Sequence, residues 1–556
     1  MIKIENLSVS FGDTEAVKNV NIELAKGEIL GVVGESGSGK SVTALTLMGL
    51  EAQGADITSG RVLFDDVVLA EAGRAKDRAL YRSYQGEQMS MIFQEPMTSL
   101  NPTKRVGIQV EEMLRLHTEL SGAERRARVL ESFADVGLRD GEQLYDCYPH
   151  QLSGGMRQRV MIAMAVILHP ALIIADEPTT ALDVTIQSQI IALLKEINEK
   201  EQNAMLFITH DLNLARRICH RVAVMKDGRI VEIGSVEDIF ANPREEYTKN
   251  LIQAVPTRIK RKRSGEGSAQ GGGKHGEDCA ADRNKNHGED CAEGCGGNHS
   301  GNHAAASALP VVEVHDLNVY YREGTNSLLG SRRKRCVVSR ADFTLYQGEV
   351  LGLVGESGCG KSSLSKAILG MNKEIEGTVS HFSARPQMVF QDPYSSLNPC
   401  KTVGWLLEEP LRAAGRLDKS LQMSKQDMRA AACDMLRKVG LDENYMYRTP
   451  SQLSGGQRQR ISIGQALITR PALVIADEPV SALDVTLQAQ IMELMKRLQE
   501  EMGVAYLFIS HDINVVYQMS DRIMIMKDGR IIEQGRTEDV FANPKEEYTK
   551  LLLRES

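Results

Sequence analysis

Short apolar runs alternate along this chain with glycine-rich and polar segments, and their lengths separate two kinds of element. Residues 27–33 form a short, β-branched run that leads into a glycine-rich loop, and the runs at 171–175 and 205–209 end in polar residues. Runs of this kind are typical of buried strands. Residues 41–50 and the longer stretch from 106 to 152 have helical spacing instead. The pattern predicts an α/β fold with a mostly parallel sheet, in which ligands collect at the carboxyl ends of the strands.

The same pattern occurs twice. The octapeptide GESGSGKS at residues 34–41 returns as GESGCGKS at residues 355–362, and LSGG at residues 152–155 returns at residues 453–456. The offset between the copies falls from the first motif to the second, which places extra residues in the first copy between its glycine-rich loop and Gln94. The repeat unit is far too long for a solenoid. The chain is therefore predicted to hold two homologous domains in tandem.

A segment of different composition separates the two copies. Residues 256–309 show no hydrophobic periodicity, begin with a basic run at 258–263 and continue as glycine-, asparagine-, histidine- and alanine-rich sequence. Such a composition cannot bury enough apolar surface to offset the entropy lost on ordering. We expect a first domain at 1–255, a flexible linker at 256–309 and a second domain at 310–556.

Composition narrows the class of protein. The 556 residues include 42% hydrophobic and 25% charged residues, and 66 Lys+Arg against 74 Asp+Glu give a net charge of −8, so no global basic field points to nucleic acid. The longest apolar run, at 160–168, is far shorter than the roughly 20 residues that a bilayer requires. The N-terminus lacks the apolar core of a signal peptide. Nine unevenly placed cysteines do not resemble a disulfide framework. We expect a cytoplasmic chain that is soluble by itself.

Both octapeptides match the pattern G-x-x-x-x-G-K-[ST] in full. Glycines allow backbone N–H groups to cradle phosphate oxygens at the start of a helix, whose dipole favours anions. Lys40 and Lys361 would reach the β- and γ-phosphates, and the hydroxyls of Ser41 and Ser362 would bind Mg²⁺. The alternative is a glycine-rich turn without a ligand, against which two matches in register argue. The chain is predicted to bind a nucleoside triphosphate in each copy.

An acidic pair follows an apolar strand in each copy. Asp176 and Asp477 stand where a partner of the magnesium ion is expected, and the adjacent Glu177 and Glu478 could accept a proton from an attacking water. A pair of acids at a strand end is usually a solvated turn. The phosphate-binding pattern upstream of both pairs favours the catalytic interpretation.

The segments at 152–159 and 453–460, LSGGMRQR and LSGGQRQR, resemble the signature sequence of ABC-transporter ATPase domains. Other elements of that family are matched in order by the Q-loop glutamines Gln94 and Gln391, the D-loops at 181–183 and 482–484, and the switch histidines His210 and His511. Phe11 and Tyr321 align as candidate aromatic residues that stack on adenine.

The resemblance implies roles for these residues. The catalytic set would be Glu177, Glu478, His210, His511, Gln94 and Gln391. ATP would be bound by Phe11, Gly34, Gly37, Gly39, Lys40, Ser41, Ser153, Gly154 and Gly155, and by Tyr321, Gly355, Gly358, Gly360, Lys361, Ser362, Ser454, Gly455 and Gly456. Mg²⁺ would be held by Ser41, Gln94 and Asp176, and by Ser362, Gln391 and Asp477. The two copies would pair head to tail, so that the signature segment of each covers the ATP on the other, and both sites would be competent.

Two further segments narrow the resemblance within the family. The sequences around the Q-loops at 93–102 and 390–399, and the segments ANPREEYT and ANPKEEYT at 241–248 and 542–549, are similar to the ATPases of oligopeptide, dipeptide and nickel importers. The partners implied are two membrane permeases and an extracytoplasmic binding protein, with this chain peripheral at the cytoplasmic face of the membrane and no nucleic acid involved. The cysteine-containing tail of some members is not reproduced, so no iron–sulfur cluster is expected.

The linker adds a second possible cargo. It contains a duplicated HGEDCA hexapeptide and seven His or Cys residues: His275, His287, His299, His303, Cys279, Cys291 and Cys295. Imidazole and thiolate together suit Ni²⁺, Zn²⁺ or copper, although a low-complexity spacer would have the same composition. We therefore expect an importer ATPase for peptides, with nickel or a metal chelate as the alternative cargo. A third hypothesis is a soluble tandem ABC protein that acts on ribosomes. Proteins of that kind have a long, charged helical connector, which differs from this linker.

Overall fold

The computed structural model describes residues 1–74, 77–94, 99–180, 182, 184–255, 309–323, 333–383, 386–481 and 483–555. The predicted linker at 256–309 therefore lies almost entirely outside the described residues, together with its basic run and all seven of its His and Cys residues. Where structure is given, each half of the chain contains one antiparallel sheet, one larger mixed sheet and a set of helices.

The described residues of the first half form ten strands. In chain order they are β1 (Ile2–Phe11), β2 (Thr14–Leu24), β3 (Ile29–Val33), β4 (Ala55–Phe64), β5 (Val67–Glu71), β6 (Met89–Ile92), β7 (Leu172–Asp176), β8 (Ala204–Thr209), β9 (Arg221–Lys226) and β10 (Arg229–Ser235). Its α-helices are α1 (Lys40–Met48), α2 (Arg78–Tyr84), α3 (Val106–His117), α4 (Gly122–Asp135), α5 (Gly141–Tyr145), α6 (Gly154–Val166), α7 (Val184–Glu201), α8 (Leu212–Ile218), α9 (Val236–Ala241) and α10 (Glu246–Ala254).

Over its described residues the second half repeats this order with fewer elements. Its strands are β11 (Pro310–Glu323), β12 (Arg333–Tyr346), β13 (Val350–Val354), β14 (Ile375–His381), β15 (Gln387–Val389), β16 (Leu473–Asp477), β17 (Ala505–Ser510), β18 (Arg522–Lys527) and β19 (Arg530–Arg536). Its α-helices are α11 (Lys361–Ile368), α12 (Pro393–Ser396), α13 (Val403–Leu417), α14 (Lys425–Lys438), α15 (Gly455–Leu467), α16 (Val485–Met502), α17 (Ile513–Met519), α18 (Thr537–Ala542) and α19 (Glu547–Glu555).

The larger sheet of each half has the same topology. Strand order is β10-β9-β3-β8-β7-β6 in the first half and β19-β18-β13-β17-β16-β15 in the second. Neighbouring strands are parallel except in the hairpins β9–β10 and β18–β19, which are antiparallel. All residues of β3, β7 and β8 are buried. One face of the sheet packs against helices such as α6 and α7, and the other packs against helix α1 and the antiparallel sheet. The predicted α/β class is confirmed, and the polar ends of these strands meet at one edge of the sheet.

The extra residues of the first copy form two elements of their own. Strand β5 joins the antiparallel sheet β2-β1-β4-β5, and helix α2 follows it before β6. In the second half the corresponding sheet is β12-β11-β14 over the residues with assigned structure. The insertion predicted between the glycine-rich loop and Gln94 therefore enlarges the antiparallel sheet and leaves the parallel one unchanged.

Helices α3 to α5 lie between β6 and α6, within the stretch from 106 to 152 for which helical spacing was predicted. Their buried apolar side chains, among them Val110, Val129 and Phe133, join the core of the parallel sheet through α6 and β6. Helix α13 and its neighbours do the same in the second half. In the parts of the chain that can be described, no helix combines the length and the apolar character needed to cross a bilayer.

The two halves contact each other. Helix α10 of the first half packs on α16 of the second, and α19 of the second half packs on α7 of the first. The hydroxyl of Thr185 also donates a hydrogen bond to Glu356 Oε1 at 3.2 Å. The C-terminal helix of each half therefore lies against the long helix of the other.

Candidate active site

The glycine-rich loop of each half connects the central strand to a helix. In the first half it runs from β3 to α1, and Gly37 and Gly39 have left-handed backbone conformations with φ of 80° and 101°. A Cβ on Gly34 would lie 2.1 Å from the carbonyl oxygen of Met225, so no side chain fits at that position. The loop thus leaves the first N–H groups of α1 facing the space that it encloses, which is the arrangement that binds phosphate.

The loop lysines are held inside these loops. The Lys40 ammonium donates hydrogen bonds to the carbonyl oxygens of Gly34 at 2.8 Å and Glu35 at 2.7 Å, and only 5% of the residue is exposed. Burial lowers the pKa of Lys40, against the opposing effect of nearby carboxylates. Lys361 makes the same two contacts, with Gly355 at 2.6 Å and Glu356 at 2.9 Å. Each lysine is therefore a buried cation beside the loop amides.

A hydroxyl and a carboxylate meet at the start of each loop helix. The Ser41 hydroxyl donates to Asp176 Oδ1 at 3.1 Å, and Asp176 is the buried last residue of β7. Burial raises the pKa of Asp176 to about 6. In the second half burial raises the pKa of Asp477 as well, and the nearby Ser362 hydroxyl opposes that rise. A buried carboxylate next to a hydroxyl and an amide oxygen is the donor chemistry that Mg²⁺ prefers, so these residues fit that ion.

Two predicted residues converge on one oxygen of the glutamate that follows. Glu177 Oε2 accepts a hydrogen bond from Gln94 Nε2 at 2.9 Å and lies 3.2 Å from Nδ1 of His210. The Thr180 hydroxyl, which the sequence analysis did not single out, donates to the same oxygen at 3.0 Å. In the second half Gln391 lies 2.9 Å and His511 3.3 Å from Glu478 Oε2.

Electrostatics keep this glutamate ionised. Burial alone would raise the pKa of Glu177, but the hydrogen bond and the charge of His210 outweigh burial and hold that pKa below its ordinary value. Burial opposes the charged form of His210 as well, yet Glu177 raises the histidine's pKa. The same directions hold for Glu478 and His511. Each half therefore presents a carboxylate, a prerequisite for a group that accepts a proton from water.

The LSGG segments form the N-termini of two helices. Ser153 caps α6 by accepting the Met156 amide at 3.3 Å, and Ser454 caps α15 in the same way with Gln457. Gly154 and Gly455 open these helices. Gly155 and Gly456 are buried against the following long helix, where a Cβ on Gly155 would lie 2.7 Å from Ile186. These contacts lie within one half, so the expected covering of each loop by the other half's signature segment stays a prediction.

Other contacts do place each loop near the opposite half. The negative charge of Asp484, in the second half, partly offsets the lowering of the Lys40 pKa by burial. The side chain of Glu356 accepts the hydrogen bond from Thr185 of the first half. Asp484 is the last residue of the second predicted D-loop, and Thr185 lies two residues after the first. Of those loops, residues 181, 183 and 482 lie outside the described residues, as do residues 95–98 after Gln94.

The two aromatic candidates lie on the antiparallel sheets. Phe11 is the last residue of β1 and pairs with Thr14 across a tight hairpin, and the carbonyl of Ala16 in β2 lies beside Gly39 of the loop. Tyr321 in β11 pairs with Arg335 and is 38% exposed. Gly358 and Gly360 of the second loop have the same left-handed conformations as their counterparts. The adenine-stacking role of Phe11 and Tyr321 stays a prediction.

One pair of contacting residues was absent from the predicted site. The Tyr247 hydroxyl accepts the backbone N–H of Glu35 at 3.3 Å, and Tyr548 accepts that of Glu356 at 3.2 Å. The sequence carried a signal for them, since both tyrosines occupy the same place in the repeated segments ANPREEYT and ANPKEEYT. The repeat itself does not indicate that these tyrosines contact the glycine-rich loop.

Comparison with known families agrees with this geometry. A model described as "ABC transporter" matches residues 17–180 and 338–481. A second, described as "Oligopeptide/dipeptide transporter, C-terminal region", matches residues 231–281 and 532–555, and its first match continues past the expected domain end at 255.

Full-length relatives and solved structures extend the comparison. The glutathione import ATP-binding protein GsiA of Pectobacterium atrosepticum is 41% identical, with 100% of this chain and 89% of the relative covered. The peptidoglycan transport ATP-binding protein YejF of Agrobacterium fabrum is 40% identical over 100% of this chain and 96% of the relative. Among solved structures, an RNase-L inhibitor aligns with a TM-score of 0.60 over 96% of this chain and 90% of its own, at 19% identity, which speaks to the fold alone.

Proposed function

This chain belongs to the ABC transporter family, and from that membership and the geometry above we propose that it energises the import of di- and oligopeptides. As a member of the family it binds and hydrolyses ATP. The observation that carries the choice of cargo is the C-terminal region typical of oligopeptide and dipeptide transporters, which is matched in both halves. Two relatives named for glutathione import and peptidoglycan transport support peptide-like cargo.

In the proposed mechanism ATP binds with its phosphates on the glycine-rich loops at 34–41 and 355–362. The loop amides and Lys40 or Lys361 neutralise the phosphate charge that develops during transfer. Glu177 and Glu478 accept the proton of the attacking water. His210 and His511, which lie beside those carboxylates, orient the water and the γ-phosphate.

Mg²⁺ would be held by Ser41, Asp176 and Gln94 in the first half and by Ser362, Asp477 and Gln391 in the second. When bound, the ion neutralises charge on the β- and γ-phosphates. The hydrogen bond between Ser41 and Asp176 already places the two oxygen donors side by side. Gln94 lies close by, since it donates to the neighbouring Glu177.

Transport also requires partners outside this chain. Relatives of this chain are ATP-binding subunits of transporters. We therefore infer that two membrane permeases and an extracytoplasmic binding protein complete the importer, with this chain at the cytoplasmic face of the membrane. The two ATPase halves would pair within the chain, which the contacts between helices α10 and α16 and between α19 and α7 support.

Uptake in cells tests the cargo. Wild-type cells and cells with the Glu177→Gln/Glu478→Gln variant are given a labelled dipeptide, and in parallel labelled nickel. We expect the variant to lose peptide uptake and to keep nickel uptake. Glutamine cannot accept the proton of the attacking water, so the catalytic cycle stops before hydrolysis. The matched control is Glu131→Gln, an exposed surface substitution that should leave uptake unchanged. Loss of nickel uptake alone would contradict the peptide assignment and favour the metal alternative.

Hydrolysis by the purified chain tests the two sites. Glu177→Gln and Glu478→Gln should each retain ATP binding and slow turnover at their own site at least tenfold, as loss of a general base does. The double variant should lose at least nine-tenths of the total rate. If either single variant hydrolyses ATP as fast as wild type, the proposal of two competent sites is wrong.

A further inference from the structure

A tyrosine from the C-terminal segment of each half contacts the glycine-rich loop of the same half. The hydroxyl of Tyr247 accepts the N–H of Glu35, and that of Tyr548 accepts the N–H of Glu356, at 3.3 and 3.2 Å. The two contacts are equivalent, because the loop and the tyrosine-bearing segment are nearly the same in the two copies, with one sequence difference in each. The contact between the C-terminal segment and the loop is thus common to both halves.

The contact acts on the peptide unit that holds the loop lysine. The N–H of Glu35 and the carbonyl of Gly34 belong to one planar peptide group, so fixing one end orients the other. The Gly34 carbonyl accepts a hydrogen bond from Lys40 Nζ at 2.8 Å. In the second half the Gly355 carbonyl accepts from Lys361 Nζ at 2.6 Å. Each tyrosine therefore holds the peptide plane that in turn holds the lysine.

The tyrosines are themselves firmly placed. The ammonium of Lys226 lies 4.7 Å from the Tyr247 ring centre, and that of Lys527 lies 4.8 Å from the Tyr548 ring. Tyr548 is only 7% exposed and packs in the core of the second half. A ring restrained on both its face and its hydroxyl loses little further freedom when the loop binds a ligand.

The helices that carry the tyrosines also touch the opposite half. Tyr247 lies in the first turn of α10, which packs on α16, and Tyr548 lies in the first turn of α19, which packs on α7. At the second loop the link is closer still, because the side chain of Glu356 accepts a hydrogen bond from Thr185 of the first half. One loop residue thus contacts its lysine, its tyrosine and the other half.

We infer that Tyr247 and Tyr548 are positioning residues of the ATPase reaction: their hydroxyls set the peptide planes before Glu35 and Glu356 so that the loop is ordered for ATP. The inference rests on the proposed function of the two loops as ATP sites. It assigns to the C-terminal segment of each half a role at the nucleotide, in addition to its packing between the halves.

Binding of a fluorescent ATP analogue to the full chain measures this role one site at a time. The Lys361→Ala variant can bind nucleotide only at the first loop, and it is compared with the double variant Lys361→Ala/Tyr247→Phe. The Lys40→Ala variant can bind only at the second loop, and it is compared with Lys40→Ala/Tyr548→Phe. We expect each phenylalanine to raise the Kd about three- to tenfold, which is the effect of losing one hydrogen bond. With both lysines present, Tyr247→Phe/Tyr548→Phe should raise the KM for ATP over the same range and leave kcat within twofold, because the contacts of Glu177 and Glu478 are untouched.

Tyr447→Phe is the matched control. Its hydroxyl also accepts a hydrogen bond, from Arg429 at 2.6 Å, but on a residue that is 70% exposed in the helical region. It should leave the Kd and the KM unchanged. A lower melting temperature with the Kd within twofold of the parent at both sites would show that the tyrosines only pack, and would overturn the inference. If Lys40→Ala/Lys361→Ala still binds two equivalents of the analogue, it is instead the assignment of the loops as ATP sites that fails.

Discussion

Glu177 and Glu478 stand in a backbone conformation that side chains seldom adopt. Both have φ of 47°, in the left-handed region, and both backbone amides are held by strand carbonyls, that of Ile208 at 2.9 Å and that of Ile509 at 3.0 Å. A residue other than glycine in this region is destabilised by roughly 1–2 kcal/mol. The conformation turns the carboxylate toward the glutamine and the histidine, so local stability is given up for the geometry of the site.

Comparing two substitutions at one position isolates this strain. Glu177→Ala and Glu177→Gly both remove the carboxylate and its hydrogen bonds, so they should hydrolyse ATP equally slowly. The glycine variant should be more stable by about 1 kcal/mol, because only glycine adopts this φ without strain. Chemical denaturation of the two variants gives the difference in the free energy of unfolding.

A position in an ordinary helix provides the control for that comparison. At Glu196, an exposed residue of α7, alanine should exceed glycine in stability by about 1 kcal/mol, since glycine is the poorer helix former. The sign of the alanine–glycine difference should therefore reverse between the two positions. If the alanine variant is the more stable one at both Glu177 and Glu196, the left-handed conformation of Glu177 carries no strain.

At the scale of the element, a carboxylate from the sheet fixes the start of each C-terminal helix. Glu232 accepts the backbone N–H groups of Arg244 at 2.8 Å and Glu245 at 3.2 Å, just before α10. Glu533 does the same for Lys545 and Glu546 before α19. Burial alone would raise the pKa of Glu232, but the hydrogen bonds donated to it lower that pKa. The element that carries the tyrosine is thus anchored on β10 or β19.

Removing this anchor should loosen the C-terminal helix. Glu232→Ala leaves two backbone amides without their acceptor, so we expect the amides of residues 244–255 to exchange hydrogen at least tenfold faster in mass spectrometry. Acid should act in the same direction in the wild type. Because the pKa is lower in the folded state, the stabilisation is present above the ordinary pKa of a glutamate and is lost as pH falls through the lowered value.

Glu237→Ala is the control for the anchor. Glu237 lies in the first turn of α9, between Glu232 and α10 in the sequence, and its replacement should leave exchange in residues 244–255 unchanged. Equal protection of α10 in Glu232→Ala and wild type would contradict an anchoring role for the carboxylate.

The sequence predicted those elements and residues whose chemistry is carried by short motifs. The strands before Asp176 and Asp477 were predicted from their apolar runs, and parallel pairing then brings the motifs at their ends together, as with Gln94 and Glu177. Contacts set by the packing of distant elements leave no comparable pattern. Tyr247 lies 212 residues from Glu35, and neither the spacing nor the residue type indicates that they touch. The strained φ of Glu177 is likewise a product of its surroundings and not of its sequence neighbours.

At the scale of the whole molecule, the contact between the halves includes two acids that face each other. Asp211 and Asp512 cap helices α8 and α17 and line one cavity of about 130 Å³ together with His210 and His511. Burial raises the pKa of Asp211, and the neighbouring Asp512 raises it further, whereas His210 and the capped amides of α8 oppose the rise. Ionisation of Asp211 therefore weakens the association of the halves, because it places a buried negative charge beside Asp512.

The charge repulsion gives a stability that depends on pH. Because the pKa of Asp211 is higher in the folded state, the folded chain binds more protons than the unfolded chain, so this group makes the protein less stable as pH rises above the ordinary value of an aspartate. Asp211→Asn keeps the oxygen that caps α8 and removes the charge. We expect it to raise the melting temperature at pH 7.5 by about 2 °C, which corresponds to about 1 kcal/mol for domains of this size, and the gain should shrink as pH falls. Asp77→Asn, at an exposed cap of α2, should change the melting temperature little at either pH. A melting temperature for Asp211→Asn equal to or below that of the wild type at pH 7.5 would show that the facing acids do not oppose the contact between the halves.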